Sequence, residues 1–325
     1  MPAVSVVIPV HNGAAFIGRA IRSVQTQTLA DWELIVVDDG STDDTAQIVA
    51  GFADPRVRYL RQSNQGPNAA RNRGLALAGG ACVAFLDADD WWLPGKLSAQ
   101  MRRLAEWPGA GLVYSSAQIY SEEGRLIGCE WARVEGRALE TLLFGNWVTG
   151  SASSVLIPRE VFAAVGGFNE TLRHLEDWEM WLRIAAAYPL AAVPAPLVAI
   201  TRRSESNSRQ AAEMNAGVLR ALQIAFETYA AHCVSLRQRA FASAHVLAGT
   251  YFGAVGQYAQ ARRSFWSALR LDPWVPSTYG RLAFTFLGGR LNRLGRRLKT
   301  RWQGEVARRR LQAWEGKRSA AGAPD

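Results

Sequence analysis

The chain has 325 residues, of which 49% are hydrophobic and 20% are charged, and this balance excludes a disordered or low-complexity protein. Its net charge is +9, and residues 281–325 hold 12 basic and 3 acidic groups, so the whole excess lies in a C-terminal tail. The three cysteines form no CxxC pair, so we expect reduced thiols in a cytoplasmic protein. No apolar run reaches the roughly 18–20 residues of a membrane-spanning helix.

The first third of the chain alternates strand-like and helix-like segments. Near-continuous apolar runs such as VSVVIP, directly after the N-terminus, suit strands that are buried on both faces of a parallel sheet rather than a signal peptide. Strands separated by helices indicate an α/β fold with right-handed crossovers. The pattern predicts strands over 4–9, 33–38, 57–60 and 82–87, and helices over about 14–28, 43–53 and 67–78.

The pattern changes further along the chain. Two more strands are predicted over 111–117 and 153–158, followed by a helix over 176–188 with one apolar side. After about residue 212, alanine, leucine, arginine and aromatic residues recur at helical spacing. We therefore divide the chain into an α/β domain, a helical region and a basic amphipathic tail, which cover residues 1–210, 211–280 and 281–325.

One segment of the helical region, residues 249–273, resembles a single tetratricopeptide unit. One such unit cannot build a solenoid. The segment is therefore either a helical hairpin that packs on the preceding domain, which we favour, or part of a partner-binding array. The residues at the offsets of that repeat are Gly249, Ala261, Phe265, Ala268 and Pro273.

Acidic residues follow two of the predicted strands. Asp38 and Asp39 end ELIVVDD, and FLDADD contains Asp87, Asp89 and Asp90. Ligands of an open parallel sheet bind beyond the carboxyl ends of its strands, and carboxylates gathered there repel one another unless a cation lies among them. The sequence therefore predicts a site for a divalent metal and a diphosphate. The alternative is that these acids only cap the helices or turns that follow, and for Asp90 this is equally expected.

Three sequence blocks carry a resemblance to a known family. They are SVVIPVHNGAAFIGRAIRSVQTQTLADWELIVVDDGSTDDT, then GPNAARNRGLALAGGACVAFLDADDWW, then GGFNETLRHLEDWEMWLR. In this order and at this spacing, the blocks resemble glycosyltransferase family 2 over roughly residues 3–205. The resemblance implies the GT-A fold, with a mainly parallel sheet that binds a nucleotide-diphosphate sugar, and a divalent cofactor, Mn²⁺ or Mg²⁺.

The resemblance also implies roles for donor-binding residues. Asp39 matches the acid that hydrogen-bonds the nucleotide base, Arg71 lies where the family places a basic contact to the nucleotide, and Asp87 lies towards the ribose. Asp38 would shape the turn beside Asp39. The residues expected along the donor are therefore Pro9, Val10, His11, Asp39, Arg71 and Asp87.

The metal, the diphosphate and the proton have their own expected partners. Asp89 matches the metal ligand, and Asp177 matches the catalytic base of inverting members. The stretch ITRRSESNS lacks a histidine that many members carry, so Arg202 and Arg203 are candidates to contact the diphosphate instead. The alternative for Asp177 is an acid that complements a helix N-terminus.

The predicted activity is transfer of a sugar, with inversion, from a nucleotide-diphosphate donor to an acceptor hydroxyl in cell-surface polysaccharide or lipid-linked glycan synthesis. A UDP-sugar is favoured, and the QxxRW motif of processive synthases is absent, so one sugar is expected to be added. The acceptor surface is expected around 120–150 and 170–176. The alternatives are a nucleotidyltransferase, whose Gly-rich basic loop is absent from the first block, and a non-catalytic nucleotide-sugar scaffold that works through its helical C-terminus.

The basic tail predicts a helix with one apolar stripe. Such a helix suits the plane of an anionic membrane, which would place the protein peripherally on the inner face of the plasma membrane. The alternative is a stripe that packs on the α/β domain, and we expect no nucleic-acid binding because aromatic residues do not interleave with the charge. The apolar residues are Phe284, Leu287, Leu291, Leu294, Leu298 and Trp302, and the basic residues on other faces include Arg290, Arg293, Arg297, Lys299 and Arg301.

Overall fold

The structure is a computed structural model that describes residues 1–202, 208–286, 305–306, 309–312 and 314. The strands are β1 (Val4–Val10), β2 (Trp32–Asp38), β3 (Val57–Arg61), β4 (Cys82–Phe85), β5 (Trp91–Trp92), β6 (Leu112–Ser121), β7 (Leu126–Glu130), β8 (Val155–Pro158) and β9 (Leu190–Arg202). The helices of the first 200 residues are α1 (Ile17–Gln25), α2 (Thr45–Ala50), α3 (Pro67–Leu77), α4 (Lys96–Glu106), α5 (Leu139–Leu142), α6 (Arg159–Val165) and α7 (Glu176–Ala187). Beyond them lie α8 (Ser208–Thr228), α9 (Arg237–Ala254), α10 (Tyr258–Leu271) and α11 (Pro276–Phe284), and short 3₁₀ helices span Ala152–Ser154 and Ala231–Leu236.

The strands form one sheet in the order β3-β2-β1-β4-β8-β6-β9-β5, with β7 paired to β6. The pairs among β1 to β4 are parallel, as predicted. The second half is different, because β8 runs antiparallel to both β4 and β6, and β7 returns antiparallel along β6 through a tight turn. The sheet is thus mixed rather than purely parallel, and β9 again runs parallel to β6.

Both faces of β1, β2 and β4 are buried. Alternate residues of β1 belong to different hydrophobic cores. Val7 lies in the first core with Ile35 and Phe85, and Val6 lies in the second core on the other face of the sheet. This burial on both sides accounts for the near-continuous apolar runs in the sequence. The first core also includes Ala221 from α8, so the helical region packs directly onto the sheet domain.

The segment that resembles a tetratricopeptide unit forms the helical pair α9 and α10. A Cβ on Gly249 would lie 2.6 Å from the ring of Phe265, so only glycine allows the two helices this approach. The start of α9 packs on the sheet domain, with Ala240 and Ala244 in the first core and a 2.9 Å hydrogen bond from Ser243 Oγ to the Phe144 carbonyl. The N-terminal half of α9, before residue 249, therefore joins the helical pair to the preceding domain. Packing of residues 249–273 themselves on that domain stays a prediction.

No helix within the described ranges is long and apolar enough to cross a membrane. Arg203 and the residues of the predicted tail helix from Leu287 to Trp302 lie outside those ranges. The three-part division of the chain stays a prediction.

Candidate active site

The carboxyl ends of β1, β2 and β4 meet at one edge of the sheet, because these three strands are parallel. Val10 is paired with Asp38 across β1 and β2, and the backbone N–H of Asp39 donates to the Val10 carbonyl at 2.8 Å. Asp87 follows β4 on the other side of β1. The sequence prediction that Asp38, Asp39 and Asp87 lie at a common edge is thus confirmed.

Asp38 is a structural acid of this edge. Its buried carboxylate accepts hydrogen bonds from the backbone N–H of Ser41, at 2.7 Å, and from the hydroxyl of Tyr59. Burial raises the pKa of this carboxyl, but the hydrogen bonds from Ser41 and Tyr59 more than offset burial and leave the pKa below its usual value. Asp38 therefore stays ionised and holds the turn after β2.

Asp39 holds a second loop. Its carboxylate accepts the backbone N–H groups of Gln65, at 2.9 Å, and Gly66, at 2.7 Å, and the side-chain amide of Gln62 at 2.8 Å. Gly66 has a φ of 94°, which favours glycine, and it directly precedes α3. His11 Nδ1 lies 2.8 Å from the Asp39 carbonyl oxygen. Asp39 therefore links the ends of β1 and β2 to the start of α3.

Arg71 joins three elements of the site. From α3, its buried guanidinium donates to Asp87 Oδ1 at 2.8 Å and to Glu176 Oε1, at the start of α7, at 2.9 Å. Burial lowers the pKa of this guanidinium, but the charges of Asp87 and Glu176 outweigh burial and raise it above its usual value. Arg71 is therefore a permanent cation that links the carboxyl end of β4 to the start of α7. Its contact with a nucleotide stays a prediction.

The turn after β4 presents its three acids differently. Asp90 is buried, accepting hydrogen bonds from Ser153 Oγ at 2.6 Å and from the Thr201 backbone N–H at 3.1 Å, which ties the turn to the start of β8 and to β9. Burial first, and then the charges of Asp87 and Asp89, raise the pKa of Asp90 well above its usual value. The side chains of Asp87 and Asp89 stay partly exposed, as a ligand site requires.

The Asp87 and Asp89 carboxylates supply the oxygen ligands that Mg²⁺ and Mn²⁺ prefer. No group of three or more His, Cys, Asp or Glu able to hold a metal occurs in the part of the chain that the structure describes. Two partly exposed carboxylates fit a metal that takes its other ligands from water or from a bound phosphate, and a metal at Asp89 stays a prediction.

Asp177 lies in the first turn of α7. Leu175, just before the helix, has a φ of 62°, a left-handed conformation that a branched residue rarely adopts. The Asp177 carboxylate accepts the backbone N–H of Trp178 at 2.6 Å and the Asn146 side-chain amide at 3.4 Å. Burial, followed by the charge of neighbouring Glu176, raises the pKa of Asp177 to about 7. This carboxyl can exchange a proton near neutral pH.

A cavity of about 770 Å³ brings several of these residues together. Its walls come from the strand ends, from the loop before the 3₁₀ helix at 152–154, from the start of α7 and from the helical region. From the sheet side the lining includes Arg71, Asp87, Asn146, Trp147, Ser151, Glu176 and Asp177. The other predicted site residues that the structure describes lie outside its walls, namely Pro9, Val10, His11, Asp39, Asp89 and Arg202.

The helical region supplies the opposite wall, which the sequence did not predict. The lining residues from α9 and α11 include Ser243, Thr250, Tyr251 and Arg281. Burial raises the pKa of the Tyr251 phenol. The nearby positive charge of Arg202 lowers this pKa, and the charges of Glu130 and Asp177 raise it by smaller amounts. Single tyrosine or threonine residues on a helix form no motif, so no sequence signal could identify them.

Arg202 ends β9 next to this wall. Its guanidinium donates to Glu130 Oε1 at 3.2 Å, and both side chains are exposed. Its contact with a diphosphate stays a prediction.

Comparison with known proteins agrees with this architecture. Residues 5–166 match the family model described as "Glycosyl transferase family 2". A relative from Campylobacter jejuni, GalNAc(5)-diNAcBac-PP-undecaprenol beta-1,3-glucosyltransferase, is 41% identical over 130 residues, which are 39% of this chain and 41% of the relative. The chain spans between 27% and 65% of the length of the curated relatives that it matches.

Two solved structures share the fold at low sequence identity. One is mannosyltransferase PcManGT from Pyrobaculum calidifontis in complex with GDP-Man and Mn²⁺, with a TM-score of 0.61, 18% identity, and coverage of 96% of this chain and 87% of that chain. The other is TarS 1-349 from S. aureus in complex with UDP-GlcNAc, with a TM-score of 0.55, 17% identity, and coverage of 86% and 91%. This likeness confirms the predicted GT-A fold with its helical C-terminal region. The family model over residues 5–166 and the relatives identified by sequence show that the chain belongs to glycosyltransferase family 2.

Proposed function

We propose that the chain is a metal-dependent, inverting glycosyltransferase that moves a sugar from a nucleotide-diphosphate donor to an acceptor hydroxyl. The observation that carries this proposal is the position of Asp177. Its pKa of about 7 suits a general base at neutral pH, and it shares one cavity with Arg71 and Asp87 from the nucleotide edge of the sheet.

In the proposed reaction, the Asp177 carboxylate takes the proton of the acceptor hydroxyl as that oxygen bonds to the anomeric carbon. The bond from that carbon to the diphosphate oxygen breaks on the opposite face, and the electron pair leaves with the nucleoside diphosphate. Arg71 holds Asp87 and Glu176 in place through its two ion pairs, so the donor and the base keep a fixed relation.

The donor would lie along the sheet edge. Pro9, Val10 and His11 follow one side of it, Asp39 reaches the base, and Asp87 the ribose. The two structural neighbours are bound to UDP-GlcNAc and to GDP-Man, which supports a nucleotide-sugar donor. We favour a UDP-sugar for this chain.

Asp89 would hold Mn²⁺ or Mg²⁺ together with the donor diphosphate. When bound, such an ion neutralises charge that develops on the leaving phosphate. Arg202 and Arg203 would add cationic contacts at the same diphosphate, since a guanidinium suits phosphate oxygens. The complex of the mannosyltransferase with Mn²⁺ supports a metal for this fold.

The acceptor would be a glycan or a lipid-linked glycan. The Campylobacter jejuni relative, by its name, acts on a glycan joined to undecaprenol through a diphosphate. The basic tail, with 12 basic and 3 acidic residues, would hold the enzyme on an anionic membrane, at the inner face of the plasma membrane.

Titration of the full-length chain with UDP-sugars and GDP-sugars, with and without Mn²⁺, tests the donor and the metal. We expect binding that depends on Mn²⁺, and donor hydrolysis in the absence of an acceptor. The matched variant Asp89→Asn removes one charged ligand and is expected to abolish the Mn²⁺-dependent part of donor binding. Binding of Asp89→Asn that equals wild type would refute the metal assignment, and binding without turnover by any donor would favour a non-catalytic scaffold.

A further inference from the structure

A second cavity lies beside the first. It is an open groove of about 520 Å³ between α9, α10 and α11, within the size range of small-molecule sites. Its walls are mostly apolar or lack a side chain, as with Gly249, Gly253, Ala254, Phe265 and Phe284, and its polar lining residues are Thr250, Tyr258, Ser277, Arg281 and Thr285. The groove and the Asp177 cavity share Thr250 and Arg281, so the two spaces adjoin.

A cation lies at the junction. Arg281 of α11 donates to Thr250 Oγ1 of α9 at 2.9 Å, and its side chain is exposed. A ligand that passes from the cavity to the groove would therefore meet Asp177 first, then the Arg281 guanidinium, then an apolar surface. This spatial order of a carboxylate, a positive charge and an apolar surface suits a molecule with a sugar at one end, a phosphate in the middle and an aliphatic chain at the other end.

Exposed aromatic residues are frequent on the helices that form the groove. Five large aromatic side chains of α10, α11 and their flanks are exposed, by between 50% and 89%, and Phe284 among them lines the groove. Exposed apolar patches mark interaction sites, and Trp and Tyr are enriched where protein meets the membrane interface. These residues are Trp266, Trp274, Tyr279, Phe284 and Phe286. The strongly basic tail continues directly from this patch.

We propose that the groove between α9, α10 and α11 binds the aliphatic chain of a phosphate-linked lipid acceptor, with Arg281 at the phosphate and the acceptor sugar in the Asp177 cavity. This inference rests on the proposed transferase function and deepens it. The helical region would thus recognise the lipid part of the acceptor, while the sheet edge recognises the donor.

Gly280 offers a direct test. A Cβ at this position meets no atom within 4 Å, so an added side chain starts in open space, and Gly280 lines the groove. Gly280→Phe would fill the groove, whereas Gly280→Ala makes the same change to the helix backbone with little bulk. Gly253→Leu fills the groove from α9, where an added Cβ lies 4.0 Å from Ala261 Cβ, an ordinary contact.

The experiment is calorimetric titration of the full-length chain with dodecyl phosphate, dodecanol and inorganic phosphate, below the concentration at which the amphiphiles aggregate. We expect dodecyl phosphate to bind at least tenfold more tightly than inorganic phosphate. Gly280→Phe and Gly253→Leu should weaken this binding at least tenfold, and Gly280→Ala by less than twofold. Arg281→Gln should weaken the binding of dodecyl phosphate but not the binding of dodecanol.

Three results would overturn the proposal. Unchanged binding by folded Gly280→Phe or Gly253→Leu would place the lipid elsewhere, and equal affinity for inorganic phosphate would show a free-phosphate site. Absence of dodecyl phosphate binding to the wild type, as when the tail of the chain fills the groove, would also refute it. Circular dichroism identifies a groove variant that fails to fold. In that case the exposed Arg281→Gln tests the proposal, and unchanged binding of dodecyl phosphate by this variant would refute it.

Titration of the wild type with UDP and Mn²⁺ separates this inference from the proposed function. Dodecyl phosphate binding without nucleotide binding would contradict the transferase function, whereas nucleotide binding without dodecyl phosphate binding would contradict the lipid groove alone.

Discussion

At the scale of single residues, three carboxylates of the cavity have different partners. Asp87 and Glu176 share the Arg71 guanidinium, at 2.8 and 2.9 Å, while Asp177 is bonded to the neutral Asn146 amide and to the backbone of Trp178. Burial, followed by the charge of Glu176, raises the pKa of Asp177 to about 7. A carboxyl that titrates near neutral pH is suited to proton transfer.

The first prediction concerns turnover. Asp177→Asn keeps the shape of the side chain and one oxygen that accepts hydrogen bonds, but it cannot take a proton from the acceptor. We therefore expect kcat to fall roughly 100-fold or more while donor affinity stays nearly unchanged. Steady-state kinetics and calorimetry with the donor nucleotide and Mn²⁺ measure the two separately. Normal turnover of Asp177→Asn would mean that the base lies elsewhere.

The second prediction concerns stability and pH. The Asp177 pKa is raised in the folded state from its ordinary 3.8 to about 7, so the folded form holds this proton more tightly than the unfolded form. The resulting stability is complete below the unfolded pKa and is lost as pH rises through about 7. The groups that set this pKa are Glu176 and Asp87, which raise it further, and Arg71, which lowers it.

Asp177→Asn should therefore be more stable than wild type at pH 8, by on the order of 1 kcal/mol, and the difference should shrink towards pH 5. Thermal unfolding at the two pH values measures this. Glu176→Gln serves as a comparison, because it removes a carboxylate that Arg71 already neutralises, and it should lower stability instead. A pH-independent difference for Asp177→Asn would contradict the raised pKa.

At the scale of elements, the apolar runs of β1, β2 and β4 predicted their strands to within a few residues, because both faces of these strands are buried. The later elements were harder. β9 contains Pro194 and Pro196, where its register against β6 shifts, and β7 is only half-buried along its whole length. In β9 the two prolines interrupt an apolar run, and β7 has neither a continuous apolar pattern nor an alternating one.

The candidate site divides in the same way. Asp39, Asp87, Asp89 and Asp177 stand in motifs, so sequence could predict them. Tyr251 reaches the cavity only because α9 packs back across the sheet domain, and this is a tertiary contact that no local pattern encodes.

The third prediction concerns the helical pair α9 and α10. Gly249→Ala places a Cβ 2.6 Å from the Phe265 ring, so the helices must move apart, which should cost about 1–3 kcal/mol despite the better helix propensity of alanine. Gly280→Ala is the matched control, because its Cβ meets nothing within 4 Å and should be neutral or slightly stabilising. Chemical denaturation of both variants measures the effect. Equal stability of the two would contradict the close packing.

At the scale of the whole molecule, the net charge of +9 resides in the last 45 residues, and the other 280 residues are balanced. A chain with this distribution would orient on an anionic surface with its tail towards that surface.

The fourth prediction is that the full-length chain co-sediments with liposomes that contain anionic lipid at low salt and is released at high salt. Each basic residue near the surface contributes about 1 kcal/mol, so changing Arg290, Arg293 and Arg297 to Gln should markedly weaken binding. Liposomes of neutral lipid are the control. Equal binding by the triple variant would mean that the tail does not hold the membrane.

The helices pack around two separate cores, and the division falls inside α9. Ala240 and Ala244 belong to the large core of the sheet domain, whereas Ala248 and Phe252, further along the same helix, belong to a small core with Phe265 and Leu282. Substitutions in the small core would therefore disturb the sheet edge little, as distant sites contribute independently to stability. Changes to the last two helices could therefore alter the groove and what it binds while the donor edge of the sheet stays intact.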